Sequence, residues 1–140
     1  MTTFEEALKA SVLGVEEGFR GAEADLRREV NTANEAVSRL TNQRAVLDLR
    51  KADERPSGTY FEMRMVFSQA KSYYEVAAFF LTSRGYPLKA GRSVSLLCEG
   101  EYEIEIPDAQ ELKKYFVTMA SNPDSPLVLR IALLLRNGEK

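Results

Sequence analysis

The sequence predicts an α+β protein: a long N-terminal helix of coiled-coil type, followed by a small antiparallel-sheet domain with packed C-terminal helices. Three observations predict it. Apolar residues recur at alternating four- and three-residue steps through the first third of the chain. Alternation of period two takes over at Phe61, Met63, Met65 and Phe67. Helix-capping signals then return at Asp108 and Ser125. The expected organisation is an amphipathic oligomerisation helix over 1–52, a linker over 53–58 and an α+β globular domain over 59–140.

The helix comes first. Phe4, Leu8, Val12, Val15, Phe19, Ala22, Leu26, Val30, Ala33, Val37, Leu40 and Leu47 make one stripe, with a single stutter between Leu26 and Val30. Thr2 or Thr3 with Glu5 or Glu6 supplies a capping box at the start. No Gly or Pro lies between Ala22 and Arg55, and Arg55-Pro56-Ser57-Gly58 is the first firm stop. A helix of about 48 residues is about 70 Å long. The remaining residues, about 85–90, form a globule only about 30 Å across, too small to shield the whole stripe. Self-association into a homodimer or a higher oligomer is therefore expected through Val12, Val15, Phe19, Leu26, Val30, Val37 and Leu40. Gly14, Gly18 and Gly21 admit two readings, a close approach by another helix or a kink near Gly18.

The globular elements follow in order. Thr59 to Ser68 reads as a half-buried strand. Lys71 to Arg84 is expected to be a helix, with Ser72 and Glu75 as a capping box and Gly85 as the stop. The rival there is a strand reached through a turn at Gln69-Ala70-Lys71, with Tyr74, Val76, Ala78 and Phe80 inward. Tyr86 to Ala90 is a short strand ended by Gly91. Ser93 to Cys98 and Tyr102 to Ile106 read as a hairpin about Glu99-Gly100-Glu101. Asp108 caps a helix buried along Leu112, Tyr115, Phe116 and Met119. Ser125 with Pro126 opens another, with a buried strand as the alternative. Leu127 to Leu135 is apolar nearly all round, so this last element is expected to be buried on most sides, with its exit at Arg136-Asn137-Gly138.

Composition narrows the function. The chain is 44% hydrophobic and 29% charged, which is globular, and a net charge of −2 without a basic stripe disfavours nucleic acid as the main partner. There is no secretory signal pattern and no apolar run near the ~20 residues of a membrane span, so a cytoplasmic protein without a membrane partner is expected. The single Cys98 rules out an intrachain disulfide, and its neighbours Leu96 and Leu97 suggest a small buried hydrophobe. No histidine occurs, which removes Ser-His and Cys-His nucleophile pairs and imidazole ligands together.

No catalytic residues, cofactor or metal ligands are assigned, and an enzyme here would have to work with carboxylates, Lys, Tyr or Cys98. The acidic row Glu99, Glu101, Glu103, Glu105 and Asp108 reads as a solvated strand face in preference to a hard-cation site. Arg84, Lys89 and Arg92 are candidates for contact with an anion or an acidic partner. Tyr60, Tyr73, Tyr74 and Tyr86 read as packing more than as a binding surface. The function expected is a non-enzymatic interaction or assembly module that self-associates through its helix and presents the α+β domain to a protein partner. The alternatives are a small-ligand-binding or enzymatic domain with a site in or between globules, and a dimeric chaperone of assembly or secretion type.

Overall fold

The computed structural model describes residues 2–137. Helix α1 (Phe4–Leu40) is followed by strands β1 (Ala45–Arg55), β2 (Gly58–Phe67), β3 (Ser72–Thr82) and β4 (Gly85–Gly91). Then come a short helix α2 (Val94–Cys98), strand β5 (Ile104–Ile106) and helices α3 (Ala109–Ser121) and α4 (Pro126–Asn137). The five strands form an antiparallel meander in sequence order. This is the α+β architecture the sequence predicts: a long first helix, an antiparallel sheet and C-terminal helices. The exit expected at Gly138 lies outside the described residues.

The helix begins where the capping box places it. The Thr3 hydroxyl accepts from the Glu6 N–H at 3.1 Å, and Glu6 Oε1 accepts from the Thr3 N–H at 3.0 Å. The Thr3 N–H and the Thr3 hydroxyl, which also donates to Glu6 Oε1 at 3.0 Å, hold the Glu6 carboxyl below the usual carboxylate range. The end comes earlier than expected, at Leu40 and not near Lys51. Asn42 and Gln43 take positive φ (53° and 64°), turning the chain without Gly or Pro. The buried Thr41 hydroxyl donates to the Val37 carbonyl at 2.8 Å and accepts from the Ala45 N–H at 3.2 Å, which locks the turn. Residues 45–52 are therefore strand, and the stretch expected as a linker is the end of β1 and its turn into β2.

Residues 72–82 are strand, not the expected helix; Lys71 (φ 52°) makes the turn and β-branched and aromatic side chains fit the pleat. A bulge opposite Met63 and Arg64 leaves Val76 as the extra residue, so Val76, Ala77, Phe79 and Leu81 join the main core while Ala78 and Phe80 face the other side. Ser93 to Cys98 is not a hairpin arm. Ser93 caps the helix α2 by accepting from the Leu96 N–H at 3.2 Å, and β5 pairs with β4 instead.

The main core lies between the sheet and the layer of α1, α3 and α4. Leu26, Phe61, Met63, Met65, Phe79, Leu81, Leu88 and Leu112 have no exposed surface there. Phe79 stacks on Phe116 at 5.8 Å and meets the edge of Tyr115 at 5.9 Å. On the opposite face α2 places Leu97 and Val94 in a small cluster with Ala52, Tyr60, Ala78 and Phe80. The rest of that face carries a charged ladder: Arg64 pairs with Asp48 at 3.2 Å and with Glu62 at 3.8 Å, and Arg50 pairs with Glu62 at 3.6 Å. β1, at the sheet's edge, has six charged residues among its eleven.

Candidate functional site

Three contacts fix α1 on the sheet. Gly18 and Gly85 meet backbone to backbone: a Cβ on Gly18 would collide with the Arg84 carbonyl, and one on Gly85 with the Gly18 carbonyl. The Tyr86 hydroxyl donates to Asp25 at 2.9 Å, and burial with that carboxylate pushes the phenol pKa well up. Asn34 Oδ1 accepts from the Leu47 N–H at 2.7 Å. The glycine cluster thus includes a close approach, but to the β3–β4 turn of the same chain; a Cβ at Gly14 or Gly21 would stand in open space.

This anchoring divides the apolar stripe. Ala22, Leu26, Val30 and Val37 are buried in the chain's own core, and Val15 and Phe19 are half-buried where the helix leaves the sheet. Of the residues expected in a self-association seam, Leu26, Val30 and Val37 are therefore committed intramolecularly. Beyond the anchor, the 37-residue helix, about 55 Å long, overruns its globule. Phe4, Leu8 and Val12 continue the stripe there and are 83%, 53% and 52% exposed. Leu40, at the other end, is 60% exposed.

A second apolar feature was not legible in the sequence. α4 is a helix opened by Ser125, whose hydroxyl accepts from the Val128 N–H at 3.2 Å, but it is not buried on most sides. Only Leu127 is fully covered, while Leu129 and Leu133 remain exposed. Between α4, the end of α1 and the sheet lies a groove of about 380 Å³. Its walls are Ala33, Ala36, Val37 and Leu40 from α1, Phe116 and Ala120 from α3, and Val128, Ile131, Ala132 and Leu135 from α4. Leu47, Met63 and Leu127 complete the lining, with no polar side chain among the residues that form it. Small residues on the facing helices, Ala33 and Ala36 on α1, Ala120 on α3 and Ala132 on α4, were the available signal, and nothing in the sequence says which helices meet.

The basic candidates do not converge. Arg84 and Arg92 stand beyond opposite ends of β4; Arg92 pairs with Glu103 at 3.8 Å, and the Lys89 ammonium lies 4.9 Å from the centre of the Tyr102 ring. The acidic row does not form one strand face, since only Ile104–Ile106 is extended. Among the described residues no group of three or more His, Cys, Asp or Glu side chains is placed to hold a metal ion. Cys98, the last residue of α2, is exposed, contrary to expectation, and its Sγ accepts from the Arg55 guanidinium at 3.7 Å. Tyr60 is buried and Tyr86 half-buried, while Tyr73 is exposed beneath Arg64 and Tyr74 lies under Arg130 at 3.8 Å. No helix among the described residues is long and apolar enough to cross a membrane. Compared with known proteins, the chain matches no family model, no curated protein and no solved structure.

Proposed function

We propose that this chain is a non-enzymatic assembly module that self-associates through the free end of α1 and presents its α+β body to a protein partner. The observation that carries the reading is the overhang. Phe4, Leu8 and Val12 stand mostly exposed, at helical spacing, on a segment that its own sheet does not reach. Evenly spaced apolar anchors on an amphipathic helix are a recurrent recognition element.

Magnitude limits what this stripe does alone. Complete burial of such side chains is worth about 1.5–3 kcal/mol each, so covering the exposed part of these three is worth about 4 kcal/mol per copy and about 8 kcal/mol in a symmetric pair. Association itself costs about 4–15 kcal/mol at the 1 M standard state. Stripe against stripe therefore sustains only a weak dimer, and a lasting one needs a second contributing surface. Sedimentation velocity of the wild type beside the double variant Leu8→Glu, Val12→Glu tests the reading. A wild-type dimer that becomes a folded monomer in the variant is expected; a wild-type monomer at every concentration overturns it.

A further inference from the structure

We infer that the overhang of one copy seats in the apolar groove of a second copy, reciprocally, so that the two α1 helices lie antiparallel about a two-fold axis. The inference rests on the self-association reading and names the surface that receives the helix.

The lining of the groove points to this class of occupant. A small-molecule site carries a few converging polar groups that orient its ligand. The residues around this groove offer only apolar side chains. A helix suits such a wall, because its backbone donors and acceptors are already paired and only its apolar face has to be covered. The chain itself displays a matching face in Phe4, Leu8 and Val12.

Charge selects the same partner. The overhang carries Glu5, Glu6, Glu16 and Glu17 against one cation, Lys9. The wall of the groove opposite in sign is α4, with Arg130 and Arg136 and no acid among its described residues, while the α1 wall from Ala33 to Leu40 carries Glu35 as well as Arg39. An antiparallel register that sets Leu8 by Ala36 also sets Phe4 by Leu40, so both apolar pairings fall at the groove. Gly14 and Gly21, with no atom within 4 Å of a notional Cβ, leave room for a neighbouring helix to pass closely. Because a two-fold makes each copy both donor and acceptor, the burial is doubled.

The test uses the full chain in a Cys98→Ser background, with Leu8→Cys and Ala36→Cys on separate preparations. Both positions are exposed, and circular dichroism checks each fold. Mixed, the two should be joined by a short bismaleimide at least tenfold faster than either alone. If Leu8→Cys joins chiefly to itself while sedimentation shows a dimer, the overhangs pair with each other; self-association survives and the groove assignment fails. If sedimentation shows only monomer, both fail. Independently, Arg130→Glu with Arg136→Glu should weaken the dimer severalfold, and undiminished association would overturn the seating of the acidic overhang against α4.

Discussion

Replacing Gly18 by alanine puts the anchoring of α1 to a sharp test. In a helix interior the exchange ordinarily stabilises by about 1 kcal/mol, since alanine loses less backbone entropy. At Gly18 the new methyl would run into the Arg84 carbonyl, and the opposing residue is itself Gly85, held at φ +96°. Both sides of the contact are main chain, so neither can rotate aside, and the cost belongs at the upper end of the ~1–3 kcal/mol of overpacking. The net expectation is a loss of about 2 kcal/mol. Gly21→Ala is the internal control: it lies in the same helix, one turn on, with nothing within 4 Å of its notional Cβ, and should gain about 1 kcal/mol. Urea unfolding at low protein concentration should therefore separate the two variants by about 3 kcal/mol, or roughly 6–12 °C in midpoint temperature. Equal stabilities, or a stabilised Gly18→Ala, would show that the helix does not cross the β3–β4 turn where described, and the extent of the overhang would have to be redrawn.

Two further outcomes follow from the same geometry. Leu26→Ala, at a side chain with no exposed surface, should cost about 3–5 kcal/mol in urea unfolding, whereas Leu8→Ala should change monomer stability by no more than about 0.5 kcal/mol; similar costs would contradict the division of the stripe. Glu75 is held above the usual carboxylate range, first by burial, and its carboxylate accepts from the Val94 N–H at 2.8 Å. A carboxyl whose folded pKa is raised favours folding most when protonated, and that contribution is lost as pH rises through the folded pKa. Glu75→Gln keeps the acceptor, so its stability relative to wild type should climb with pH across the carboxylate range; a pH-independent difference would refute the assignment.

Features set by local chemistry were legible in the sequence. The Thr3–Glu6 capping box, the alternation of β2, the Asp108 cap on Glu111 N–H and the Ser125-Pro126 start all depend on residues within a few positions of each other. What escaped detection depended on partners distant in sequence. Leu47 falls seven residues after Leu40 and so extends a heptad as readily as it alternates with Ala45 and Leu49; only the turn at Asn42 and Gln43 separates the two patterns. Residues 72–82 carry helical and extended patterns at once, and pairing with β2 on one side and β4 on the other decides between them. For the candidate surface, the stripe itself was readable. Which half of it the sheet would claim was not, because that follows from where Gly18 meets Gly85. The groove was invisible because α4, apolar nearly all round, was assigned to the interior, while the fold leaves it on the flank.

The ionic character of β1 bears on how copies of this protein can meet. A sheet whose outermost strand offers bare amides is open to sideways growth, one chain templating the next without limit. Here Asp48, Arg50, Lys51, Asp53, Glu54 and Arg55 crowd that border, and a newcomer aligning there would have to strip water from alternating cations and anions. With that route discouraged, the helical layer is the surface left for the finite, closed contact proposed above.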